Sequence, residues 1–135
     1  REDARVGLAG PEWGLAAAIV AAIVGAAGGG KLWFAIAQVG AWINIFNLLP
    51  VWQLDGGRAF ASLTRYQRAV AATALGAGWI ITRDGLVLLV ALVAVARALG
   101  SGAAAADRET LIRYVAVTLL LAVVFRIAHA TVGVV

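Results

Sequence analysis

Apolar residues in this chain come in long blocks, and glycine, proline and a few polar residues punctuate them. The first block covers residues 11–28 and opens on Gly10-Pro11-Glu12. Proline at a first helical position gives up no needed hydrogen bond, and an acid there faces the positive end of the helix dipole, so the spacing predicts a helix starting here. Gly28-Gly29-Gly30-Lys31 ends it and turns the chain. A second block, residues 32–49, is stopped by Pro50 and interrupted by Gln38, Asn44 and Asn47. Asn44 and Asn47, three apart, share one helix face. A third stretch, 56–81, begins basic (Arg58, Arg65, Arg68) and ends apolar, and its apolar part, 69–81, is short for a crossing. Arg83-Asp84-Gly85 separates it from a block at 86–99. A Gly-Ser-Gly and alanine linker at 100–106 then leads to the last block, 110–132.

The expectation is an all-α protein, a polytopic bundle of four to five transmembrane helices. Breaks are expected near 28–31, 49–55, 83–85 and 100–106. Composition supports lipid as the solvent. Of the 135 residues, 63% are hydrophobic and 13% charged, against roughly 25% charged in soluble domains. A span takes about 20 apolar residues. Trp13 and Trp33 stand near block ends, where indole rings favour the membrane interface. The net charge of +4 comes from scattered residues, Lys31 and ten arginines, with no basic patch interleaved with aromatics, so nucleic acid is not an expected partner. If every block crosses once, Arg1, Arg5, Arg58, Arg65, Arg68, Arg97, Arg108 and Arg113 fall on one side. Lys31, Arg83 and Arg126 fall on the other, which makes the first side cytoplasmic. Without cysteine there is no disulfide, thiolate metal site or Cys nucleophile.

The segment with chemical content runs from Asn44 to Arg58. Pro50 disfavours helix at Leu49 and removes a donor, while Gly56-Gly57 opens backbone conformations closed to other residues. The expected result is a broken helix with a carboxylate, Asp55, at the break. Irregular backbone at membrane depth survives only against protein or water, and an ionisable residue there is a functional candidate. A plainer reading has Asp55 as the N-cap of a helix starting at Gly56.

The string Asn47-x-x-Pro50-x-x-x-Leu54-Asp55-Gly56-Gly57 resembles a signature of the site-2 protease family, the intramembrane zinc metalloproteases. Leu8-Ala9-Gly10-Pro11 is similar to the Ala-Gly-Pro that opens a helix of that family. The resemblance covers about residues 6 to 60. It implies a zinc metalloendopeptidase cutting membrane-anchored proteins. Asp55 would be the third zinc ligand, and Asn47 would hold the substrate backbone or the oxyanion. The implied partners are membrane lipid and a transmembrane protein substrate; the low-Lys, Ala/Gly/Val/Arg-rich usage adds the expectation of a multi-pass protein of a bacterial cell membrane. Two departures stand out: Gly14 where the family carries Asn, and Trp52-Gln53 where it favours prolines.

A catalytic zinc site takes three protein ligands and leaves a position for water. No His-Glu-x-x-His occurs in the chain. The one histidine, His129, is expected to pack rather than to bind metal, and Glu12 to serve a helix start. Residues 1–135 are therefore expected to form a single transmembrane domain, an N-terminally truncated piece of a larger protease domain that is inactive alone. The alternative is a catalytically inactive homologue that binds transmembrane helices. A channel or transporter fragment with a polar path through Asn44, Asn47 and Asp55 ranks last, since no internal repeat supports it.

Overall fold

The computed structural model describes residues 2–50 and 54–132, except for the side chains at positions 2, 3 and 5. Every regular element among them is helical: α1 (Glu2–Val24), α2 (Lys31–Asn47), α3 (Asp55–Ala61), α4 (Arg65–Thr82), α5 (Gly85–Leu99) and α6 (Arg108–Val132). Two stretches are long and apolar enough to cross a membrane, Val6–Gly29 and Arg108–Val132. At about 1.5 Å per residue, α6 reaches roughly 37 Å, more than the ~30 Å hydrocarbon core.

Two of the expected boundaries moved. The first helix starts at Glu2, so Pro11 lies inside it. Packing overrides the local signal: Ala4, Leu8 and Pro11 are all buried, and Gly7 and Gly10 lie against α3. The stretch 56–81 is two helices, not one. Thr64 caps α4 by accepting from the Gln67 backbone N–H, and the Gln67 side chain accepts from the Thr64 N–H. This reciprocal box is written in the sequence as Thr64-x-x-Gln67 and accounts for the sixth helix.

The turns follow their residues. A wide turn at Gly25–Gly29 ends α1, where Gly28 (φ 111°) and Gly30 (φ 92°) take backbone that glycine alone adopts freely. Arg83 ends α4 in the left-handed region (φ 54°), with its guanidinium over the Trp79 ring. Asp84 caps α5 through the Leu86 N–H.

Half of the buried apolar side chains among the described residues are alanines. Meanwhile Trp13, Val20, Ile23, Leu32, Ile80, Leu92, Leu99 and Ile127 face outward. Small residues let membrane helices approach closely, and a helix apolar on all faces belongs in lipid or a large core.

The helix ends sort into two groups. At one end meet the first half of α1, the close of α2, α3, and the starts of α4 and α6 with the close of α5. Contacts from Glu12 to Arg113, Leu48 to Tyr114 and Arg65 to Leu99 define it. Arg58, Arg65, Arg68, Arg97, Arg108 and Arg113 lie there, with Lys31, Arg83 and Arg126 toward the other end. Arg1 and the Arg5 side chain lie outside the described set.

Candidate functional site at the α2–α3 junction

The close of α2 is built around carbonyls that the end of the helix leaves without a helical donor. The last turn tightens, with Leu48 N–H bonding Ile45 O and Leu49 N–H bonding Phe46 O. Tyr114, fully buried on α6, donates its hydroxyl to Leu48 O at 2.7 Å and tilts against the Phe60 ring. Arg97 of α5 donates to Pro50 O at 3.0 Å. Residues 51–53 follow, so Trp52 and Gln53, singled out above as a departure from the family, lie outside the described residues.

Helix α3 then starts directly against α2. Leu54 is extended and is the N-cap, and its carbonyl accepts from Gly57 and Arg58 N–H. Asp55 is the first helical residue and makes no capping bond, so the plainer reading of it as an N-cap is wrong. Gly56 is why the helices can touch: a Cβ there would stand 1.8 Å from Leu48 O.

Asp55 is half-buried, and its carboxylate faces α1, with Oδ2 3.1 Å from where a Gly10 Cβ would be. No donor among the described residues reaches that carboxylate. Helix α3 is too short to cross a membrane. Burial lifts the Asp55 carboxyl above the usual carboxylate range, and the nearby Arg58 guanidinium pulls it back down.

One turn further along α1, the Asn44 side chain fills the space over Gly14, within 2.3 Å of where a Cβ would be. Its amide N–H bonds Gly40 O at 2.8 Å. Gly7, Gly10 and Gly14 thus form one face of α1 that receives Arg58, Asp55 and Asn44 in turn. The structure joins Asp55 to Asn44 through α1. Asn47 is half-buried on the last turn of α2, beside Leu48, and makes no hydrogen bond among the described residues.

Buried polar side chains hold this end together. Arg68 donates to Phe60 O through two nitrogens and to Arg97 O and Ser101 O through a third. Glu12 forms a two-pronged ion pair with Arg113 of α6. It is an interhelical tie, not the helix-start residue expected. None of these contacts was legible in the sequence, where Arg68, Arg97 and Arg113 read as orientation charges and Glu12 as a helix start, because most of the partners are distant along the chain. The one available signal was a polar side chain inside or beside an apolar block.

A family model described as peptidase family M50 matches residues 26–92. That family is the site-2 protease family. The matched stretch holds Asn47, Pro50 and Asp55. It runs from the turn after α1 into α5, beyond the residue-60 limit of the sequence resemblance, and leaves Leu8-Ala9-Gly10-Pro11 outside. No curated protein and no solved structure matches the chain.

M50 proteins are zinc metalloproteases, so the fit of the metal matters. Among the described residues no three His, Cys, Asp or Glu side chains gather. His129 lies at the far end of α6, where its Nδ1 accepts from Gln38 at 2.8 Å and its ring stacks on Phe125. The described residues offer one carboxylate, Asp55, where a catalytic zinc needs three ligands. They do not make a zinc site by themselves. The M50 match and the two helices of spanning length agree on a membrane setting.

Proposed function

We propose that this chain is part of an intramembrane zinc metalloendopeptidase that cleaves membrane-anchored proteins, and that Asp55 is one of the metal's protein ligands. The observation carrying this reading is a half-buried carboxylate with neither a capping role nor a described donor, inside the segment that matches family M50. Such a carboxylate is open to a cation, and a ligand held on a helix start braced by α1 and α2 is well oriented for one. The remaining ligands come from a His-Glu-x-x-His helix outside these 135 residues. Asn47, an uncharged donor at the close of α2, holds the substrate backbone or the oxyanion. Asn44, engaged with Gly40 and Gly14, serves packing. The arginine-rich end faces the cytoplasm by the positive-inside rule.

The test is zinc content and cleavage of a transmembrane substrate by the full-length protein, compared with its Asp55→Ala form. Loss of both in a folded variant is the expected outcome. Equal zinc and equal cleavage in the two would refute the assignment of Asp55. Full-length protein that carries no zinc but retains a transmembrane peptide would favour the second reading, an inactive helix-binding homologue, which the single ligand among the described residues keeps in view.

A further inference from the structure

On the outer face of the bundle, α4 and α5 leave between them a groove of about 490 Å³. Its sides are mostly apolar: Ala69, Ala72 and Thr73 from α4, Val95 and Leu99 from α5. Its mouth, at the arginine-rich end, is polar. Arg65 lies there, with Nε on Ala98 O at 3.3 Å and Nη2 on Leu99 O at 3.2 Å. That fixes the guanidinium over the groove and leaves Nη1 without a hydrogen bond among the described residues. Tyr66 stands beside it, 78% exposed.

We infer that this groove is a binding site for an anionic phospholipid, whose phosphate meets Arg65 and Tyr66 and whose acyl chain lies along Ala69, Ala72 and Thr73. Three features select that occupant. The outward residues of the hairpin, Ile80, Leu89, Leu92 and Leu99, are apolar, so whatever fills the groove must be lipid-soluble along most of its length. Charge is complementary at the mouth: Arg65 lines it, Arg68 and Arg97 lie behind it, and no acid lines the groove. A planar guanidinium held in place by two carbonyls presents its free edge to a phosphate, while an exposed tyrosine at a span end sits at headgroup level. Arg65 to Thr73 covers about two turns, roughly 12 Å, so the charged mouth and apolar floor follow the polarity of a phospholipid. The inference needs the membrane setting but not the proteolytic reading, so the two can fail separately.

The test uses the protein purified in a non-ionic detergent and given equimolar phosphatidylglycerol and phosphatidylcholine, with bound lipids counted by native mass spectrometry. The expected result is about ten-fold preference for phosphatidylglycerol, equivalent to 1.4 kcal/mol. Arg65→Gln should bring the two lipids to near parity. Thr73→Trp, at an exposed position whose hydroxyl bonds only its own helix at Ala69 O, should fill the groove and cut retention of both lipids several-fold. Because Thr73 supports nothing in the core, this variant keeps the test informative if loss of Arg65 unsettles the end of α5. Equal retention of both lipids by the unaltered protein would overturn the inference, as would unchanged retention in Thr73→Trp. So would displacement of phosphatidylglycerol by millimolar inorganic phosphate, which would mark a site for free anions.

Discussion

Replacing Gly56 with alanine tests the α2–α3 contact on which the candidate site rests. The new Cβ would stand 1.8 Å from Leu48 O, 2.2 Å from Leu48 C and 2.7 Å from Leu49 O. Carbon and carbonyl oxygen do not settle closer than about 3.3 Å, so α3 must move away by roughly 1.5 Å. The obstacle is backbone, and no rotamer change relieves it. Overpacking costs typically 1–3 kcal/mol. Displacing Leu48 also strains the 2.7 Å bond from Tyr114, worth about 1 kcal/mol. Against this, alanine's helix preference returns less than about 1 kcal/mol. The net expectation is a loss of about 2 kcal/mol. Gly76→Ala is the control, since Gly76 sits in α4 with open space where its Cβ would be, and it should be neutral or stabilising by up to about 1 kcal/mol. Denaturant titration in detergent micelles, read by tryptophan fluorescence, measures both. A Gly56→Ala protein within about 0.5 kcal/mol of the parent would refute the close contact.

Other consequences are equally direct. Tyr114→Phe keeps the ring against Phe60 but strands the Leu48 carbonyl, and should cost about 1–3 kcal/mol in the same titration. Arg68→Leu releases the carbonyls of Phe60, Arg97 and Ser101 together and should cost about 3 kcal/mol or more, at roughly 1–3 kcal/mol for each stranded carbonyl, with proteolytic nicking appearing first in the 100–106 linker. Because the chain has no native cysteine, single-cysteine labelling in intact cells can read topology: Ala105→Cys should be shielded from an impermeant reagent added outside, and Lys31→Cys should react. The reverse pattern would overturn the cytoplasmic placement of the arginine-rich end.

The helical class was legible because the blocks are long and their boundaries carry strong signals. Three consecutive glycines, an Arg-Asp-Gly and a Gly-Ser-Gly all mark ends that the structure keeps. The start of α1 was not legible, since Pro11 is a good first helical residue by every local criterion. Only burial of Ala4 and Leu8 extends the helix upstream of it. At the site, Asp55 was found from its motif. Its surroundings were not, because they come from Gly10 and Gly7, 45 and 48 positions earlier, and from a tyrosine 66 residues beyond Leu48. A glycine that makes room for another helix's side chain leaves no mark in a pattern of apolar positions.

The arginines show how one residue type can answer two demands. Read along the sequence they are flanking charges that set orientation. In the structure, three of them also finish helices. An α-helix ends with carbonyls that lack donors and with the negative end of its dipole. The ends of α2, α3 and α5 converge at one end of the bundle, and a buried carbonyl there, such as that of Phe60, is cut off from water. Arg97 serves Pro50 after α2, Arg68 serves Phe60 in α3 and Arg97 and Ser101 at the close of α5, and Arg65 serves Ala98 and Leu99. Lysine would match the charge, but it lacks the planar fork that reaches several carbonyls from one position. The preference for arginine over lysine therefore follows from the fold as well as from topology: a short helix carrying Asp55 can be held in place only if the helix ends around it are capped from the side.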